Sequence, residues 1–309
     1  MILSASRRTD LPAFYSDWFL RRMEEGMVMV RDPHHPHLCR RISLAKGTVD
    51  GVVFWSKNPA PLLPALPLSQ GIDCSLQFTL TPYGSPLEPG IPELNRRLDT
   101  FRLASDILRA ERVIWRYDPI LLTKRWTVEE HLKVFQELVQ ILAGYTYQCV
   151  ISFLDFYPGT AQRMKAVELL PLAPETCLWL AKTFQQIAAE YGIQCRACCE
   201  SSGLLPSGFP SSRCVDPDLF PKAGLFHQRD RGQRPGCGCA PSVDLGAYGT
   251  CLHGCLYCYA THNFPTLEHW QRNHDPASPL LWGKPGPNDQ IIPWEDRCSD
   301  QNQLRLEGW

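Results

Sequence analysis

One rhythm repeats through the first 200 residues: a short apolar run, a polar cluster often closed by proline, then a helix-like segment. The runs fall at 2–5, 51–55, 75–80, 112–115, 149–154 and 193–197. They are short and rich in Val, Ile and Phe, the composition of strands buried on both faces of a parallel sheet. Proline cannot donate to a sheet ladder, so Pro59, Pro82, Pro119 and Pro158 mark where strands stop. Helices are predicted between the runs, at 14–25, 92–110, 127–143 and 174–191. Pro92 suits a first turn, Thr127 and Glu130 make a capping-box pattern, and Gly192 suits a helix C′ position. The stretch 27–44 reads as a small hairpin or loop excursion.

Strands alternating with helices imply a parallel sheet with right-handed crossovers. Six such units fit an open doubly wound sheet or a partial barrel. The expected fold is α/β, a partial (β/α)6 TIM-like barrel. Each run ends in polar residues that would converge on one rim, where ligand chemistry sits in barrel folds. Residues 1–200 would form this barrel and 201–262 a cysteine-rich segment packed on its mouth. Residues 263–309 read as an irregular tail of prolines and tryptophans, with its last dozen residues mobile.

Of 309 residues, 44% are apolar, enough for a large core. A net charge of −1 argues against a broad nucleic-acid-binding surface. No apolar run approaches the ~20 residues of a membrane span. The N-terminus lacks a basic start followed by an apolar stretch, so no signal peptide is read. The expectation is a cytoplasmic protein with reduced cysteines.

The stretch 228–260 holds five of the fourteen cysteines. Cys251, Cys255 and Cys258 are spaced C-x₃-C-x₂-C, with Tyr257 just before the third, and Cys237 and Cys239 form a C-x-C pair upstream. Thiolates that must reach one inorganic centre need such staggered spacing on a turning loop. Three ligands are informative, because a structural zinc site is normally closed by four. A four-iron cubane held by three cysteines keeps one iron open to a small molecule. The competing reading is a zinc knuckle completed by Cys237, Cys239 or His253, since soft thiolate sites accept either metal. A disulfide framework fits neither the length nor the expected compartment.

The pattern on Cys251, Cys255, Tyr257 and Cys258 resembles the C-x₃-C-x-aromatic-C motif of the radical S-adenosylmethionine (SAM) enzymes. The wider set SASRRTDLPAFY, FWSKNPAPLL, FTLTPYG, WRYDPI and CGCAPSVDLGAYGTCLHGCLYCYA is similar to a bacterial family of unknown function. That family, numbered 1848 among domains of unknown function, is noted for a C-terminal cysteine cluster like the N-terminal one of radical SAM proteins. The resemblance implies a [4Fe–4S] cluster on Cys251, Cys255 and Cys258, with SAM chelated at the open iron and cleaved to a 5′-deoxyadenosyl radical. It also implies a reductant such as a flavodoxin or ferredoxin, and sets Tyr257 against the adenine ring. In radical SAM enzymes the motif usually follows the first strand. Here it follows the sixth run, so the C-terminal segment must fold back over the barrel mouth. No Gly-Gly-Glu motif of the kind that holds the SAM amino group follows a second strand.

Cys198, Cys214, Cys237 and Cys239 are candidates for a second, closed four-thiolate site holding zinc or an auxiliary iron–sulfur cluster. Simple packing is the alternative, because free cysteine is commonly buried. Cys199 is a substitute for Cys198, since neighbouring strand side chains point opposite ways. Cys39, Cys74, Cys149, Cys177 and Cys298 read as packing or surface cysteines. The strand ends supply the candidate site for a small polar substrate and SAM. Lys57, Arg116 and Asp118 are the catalytic candidates, and Arg8, Asp10 and Glu200 the cofactor-binding ones. An arginine fork suits a carboxylate or phosphate. The competing reading is a ring of internal salt bridges tying strand ends together. His34, His35 and His37 read as an exposed loop.

Overall fold

The computed structural model describes residues 1–294 apart from 69–70, 158, 201–203, 262–266 and 273. The expectations for Cys298 and for the last dozen residues lie outside these. In chain order the first half holds β1 (Ile2–Ala5), α1 (Leu11–Phe14), α2 (Ser16–Glu25), β2 (Met27–Arg31), β3 (Leu38–Ser43), β4 (Gly51–Ser56), β5 (Asp73–Thr79) and α3 (Leu94–Leu108). Next come β6 (Val113–Ile120), β7 (Leu122–Thr123), α4 (Val128–Leu142), β8 (Gln148–Phe153), α5 (Thr160–Met164), β9 (Leu169–Leu170) and α6 (Pro174–Glu190). The chain continues through β10 (Gln194–Ala197), β11 (Val243–Asp244), α7 (Leu267–Arg272) and β12 (Gln290–Pro293).

Seven strands form one parallel sheet in the order β10-β8-β6-β5-β4-β1-β11. The six predicted runs are β1, β4, β5, β6, β8 and β10, side by side in sequence order. The sheet is open: β10 and β11 are its two edges and do not pair with each other. Sequence reading missed β11, a two-residue strand whose only signature is its register, Leu3 beside Val243 and Ser4 beside Asp244.

Alternation along the strands divides the side chains between two layers. Leu3, Val52, Phe54, Leu76, Phe78, Trp115, Tyr117 and Ile151 join the larger core with Phe101 of α3, Phe135 of α4 and Phe184 of α6. Phe135 and Phe184 stack at 3.9 Å between centroids, with Trp115 on Phe135 at 5.1 Å. The opposite face carries Ile2 and Val53, packed against Cys214, Val215, Phe220, Leu225, Cys239 and Ala240. Segment 212–240 therefore returns to cover the side that the helices leave bare. Gly51 makes this possible: a Cβ there would stand 2.0 Å from the Phe220 ring. Polar Ser4, Ser75, Gln77, Arg116 and Ser152 alternate with the larger-core residues and are buried on this second face.

Two of the predicted helix ends hold, while Pro92 falls outside its helix, because α3 begins at Leu94 with Glu93 as N-cap. Thr127 Oγ1 accepts from Glu130 N at 3.3 Å at the start of α4, and Gly192 takes a φ of +72° just beyond α6. The excursion is a hairpin, β2 antiparallel to β3. The tail is less irregular than expected, because β12 pairs in parallel with β3. Among the described residues no helix is long and apolar enough to cross a membrane.

Candidate functional site

Parallel strands bring their C-terminal ends to one side of the sheet. From β11 the chain crosses the ends of β1, β4 and β5. It is pinned along the way: Tyr15 Oη donates to Thr250 O at 2.6 Å, Gly90 N to His253 O at 2.9 Å, and Leu256 N to Leu87 O at 3.0 Å. Arg163 of α5 donates to the carbonyls of Leu256 and Cys258. Gly249 and Gly254 take φ of +72° and +68° and turn the loop.

This loop carries Cys251, Cys255 and Cys258. Their thiols lie within electrostatic reach of one another, with Asp10 beside Cys251 and with Lys57 and Glu88 beside Cys255. Burial pushes the Cys251 and Cys255 thiols up, and Lys57 works against that at Cys255. A bound metal cation would reverse it, since coordinating thiols are deprotonated. His253 is fully engaged: Nε2 lies 2.7 Å from Asp10 Oδ2 and Nδ1 3.2 Å from Gly90 O. Both ring nitrogens face acceptors, so His253 is not free to complete a zinc knuckle.

The rim candidates sit at strand ends of the one sheet and fall into separate, already partnered groups. Asp10 caps α1 by accepting from Ala13 N at 3.0 Å. It also accepts from Ser56 Oγ at 2.7 Å and Lys57 N at 2.8 Å. Lys57 Nζ donates to Glu88 Oε1 at 2.8 Å and sits 5.5 Å from the Tyr257 ring centroid. Glu88 is 1% exposed; its Oε1 also takes Thr81 Oγ1 at 2.8 Å and the Tyr257 hydroxyl. Glu88 Oε2 is buried with no hydrogen-bond partner. Tyr257 is itself buried against Tyr83, and burial first, then Glu88, raises its phenol well above the ordinary value.

Arg8 lies over the Tyr248 ring, with Nε 4.0 Å from Asp244 Oδ1. Asp244 accepts from Ser4 Oγ and Ser6 Oγ, both at 2.6 Å, and from Arg7 N at 2.9 Å. Burial opposes its ionisation, but Arg8 and Arg7 outweigh that and hold its carboxyl below the ordinary range. On β6, Arg116 pairs with Asp118. Glu200 accepts from Ser152 Oγ at 2.7 Å and Phe153 N at 2.9 Å, and burial raises its carboxyl. His34, His35 and His37 are exposed, as expected of a loop.

The second set of thiols also comes together, beneath this rim on the face without helices. Cys198 Sγ lies 3.9 Å from Cys214 Sγ. Cys239 lies within electrostatic reach of both Cys214 and Cys237. Arg116 Nη1 donates to Cys214 Sγ at 3.0 Å, and Gln77 Nε2 to Cys214 O at 3.1 Å. Cys199 faces away, its thiol 3.2 Å from Pro235 O. Among the described residues, no three His, Cys, Asp or Glu side chains stand as a ready-made metal-binding group. Sequence reading missed Glu88, inside the turn sequence SPLEPG, and Asp244, on a strand too short to announce itself.

Residues 2–260 match the family described as Domain of unknown function (DUF1848), and the chain belongs to that family. No protein with a curated description matches it. Among solved structures, a candidate alpha-L-fucosidase from Bacteroides thetaiotaomicron VPI-5482 aligns at 11% identity, covering 74% of this chain and 83% of its own, with a TM-score of 0.27.

Proposed function

We propose that this is an iron–sulfur protein of the radical SAM type, acting on a small polar substrate at the polar end of an open partial (β/α) barrel. Cys251, Cys255 and Cys258 would hold a [4Fe–4S] cluster. Bound there, such a cluster supplies one-electron reduction of the SAM sulfonium. One observation carries the reading: three soft thiols lie beside Asp10, Lys57 and Glu88, while both nitrogens of the neighbouring His253 are already taken. The loop thus offers three ligands rather than four.

The chain's own groups divide the remaining work. Lys57, Arg116 and Asp118 are the candidates for touching substrate. Arg8 and Glu200 flank the rim as candidates for SAM. Asp10, with its acceptors filled, positions Lys57 and His253. Tyr257, tied to Glu88, holds the loop against the rim. A flavodoxin or ferredoxin would supply the electron, and the setting would be cytoplasmic. Cys198, Cys214, Cys237 and Cys239 form a second metal centre, zinc or an auxiliary cluster.

A second reading has its own support. The rim charges are already partnered, Lys57 by Glu88, Arg116 by Asp118, and Asp10 by hydrogen bonds with Ser56, Lys57 N and His253. That pattern suits a metal-stabilised binding protein, or an iron–sulfur redox protein that does not use SAM. Anaerobic iron and sulfide analysis with SAM titration separates these. The proposal expects about four irons per chain held through Cys255, with any iron of the second centre counted apart, and formation of 5′-deoxyadenosine under dithionite, both lost in Cys255→Ala. A fully loaded cluster that never cleaves SAM sinks the enzyme reading, and zinc with no iron sinks the cluster.

A further inference from the structure

We infer that Cys198, Cys214, Cys237 and Cys239 hold one tetrahedral metal ion, of the zinc type, rather than a second iron–sulfur cluster. This rests on the second metal centre proposed above and decides its kind. The argument is geometric. Four thiolates around a single zinc lie at the corners of a tetrahedron. With a Zn–S bond of about 2.3 Å, each tetrahedron edge is about 3.8 Å. Cys198 and Cys214 are 3.9 Å apart, sulfur to sulfur. In a cubane each thiolate takes its own iron and points away from the centre, so ligand sulfurs do not meet.

All four cysteines belong to one packed cluster, Cys214 and Cys239 buried within it, Cys198 and Cys237 packed against it. The thiols stand in a string, 198–214–239–237, whose two ends still feel each other electrostatically. Loading would close the string into a ring of four, with the thiol protons leaving to solvent as the metal–sulfur bonds form. The surroundings suit a net negative centre. Arg116 already donates to Cys214 Sγ at 3.0 Å. Arg7 lies within electrostatic reach of Cys239 and Cys214, and its Nη2 is buried with no hydrogen-bond partner. N–H donors of this kind orient and steady thiolate ligands. The interior also suits a structural role, because the site sits where segment 212–240 must be held against the sheet.

The test uses the full chain, purified anaerobically, with zinc, iron and sulfide measured in wild type, Cys255→Ala, Cys214→Ser, Cys237→Ser and Cys199→Ser. About one zinc per chain is expected, kept in Cys255→Ala and Cys199→Ser and lost in both Cys214→Ser and Cys237→Ser. Cobalt exchange should give the intense visible bands of a tetrahedral four-thiolate site. Cys237 is partly exposed and guards against a folding failure of Cys214→Ser. Loss of four irons with sulfide from the Cys237→Ser protein overturns the inference in favour of a second cluster. Four thiols that all react with a thiol reagent in the metal-replete protein, with no zinc present, overturn it outright. Iron bound through Cys255 is scored separately, so failure at one site does not read as failure at the other.

Discussion

The two cysteine groups are built on opposite plans. Cys251, Cys255 and Cys258 come from eight consecutive residues, and the fold's part is to fasten that loop over the strand ends. Cys198, Cys214, Cys237 and Cys239 come from a strand end, a buried connection and a C-x-C turn, and only the finished fold unites them. The first group depends on its own spacing and on a small satellite cluster with Tyr83, Leu87 and Trp126. The second is the reverse: it inherits any disturbance of the packing between segment 212–240 and the sheet. Position in the chain thus separates a site defined by spacing from a site defined by folding.

This contrast can be broken most forcefully at the buried pair under the loop. Glu88→Ala leaves Lys57 without its partner and should cost about 3–5 kcal/mol, read by chemical denaturation. Glu88→Gln, which keeps an acceptor, should cost less. Equal losses would mean that the pair matters for shape and not for charge. Phe220→Ala empties the ring that covers Gly51 and should also cost about 3–5 kcal/mol. It should weaken metal retention by the inner thiols while iron on Cys251, Cys255 and Cys258 stays put; equal loss at both groups would erase the distinction drawn here.

Acid provides a finer probe of the join between loop and sheet. The Asp244 carboxyl is lower in the folded protein than in the unfolded chain, so the unfolded state binds its proton first as pH falls. Its contribution is complete above the ordinary carboxylate range and drains away as pH drops through the folded value. Asp244→Asn should therefore cost about 2 kcal/mol near neutrality, with the gap to wild type narrowing below about pH 4. A gap independent of pH would contradict the assignment to charge. The smallest expected effect is Thr127→Ala, which removes a helix cap and no cysteine contact. It should cost about 1 kcal/mol in a thermal melt and leave metal content unchanged.

Much of the scaffold was readable in advance because its signals are local. Runs of Val, Ile and Phe ending in proline are one such signal, and the Thr127–Glu130 cap and Gly192 are others. Each depends on neighbours a few residues away. The seventh strand was not readable, because two residues at Val243 and Asp244 acquire strand character only from β1 beside them. The rim candidates were found because polar residues at parallel strand ends must share one side. Their pairing was not, since Lys57 meets Glu88 across 31 positions and Asp10 meets His253 across 243. Glu88 was invisible for a related reason: a carboxylate among prolines and a glycine looks like a solvated turn until Tyr257 folds over it.

The join of β11 to β1 sets the order of assembly. Strand β1 finds its outer neighbour only after some 240 residues have followed it. Until then the helix-free side of the sheet is an uncovered trough of serine, glutamine and arginine. Closing it is a late, long-range event, of the kind that slows folding. A nascent chain would therefore pass through a stage in which Cys198 is available while its partners are still being synthesised. The thiols of Cys198, Cys214, Cys237 and Cys239 come into one packed cluster only once segment 212–240 is in place.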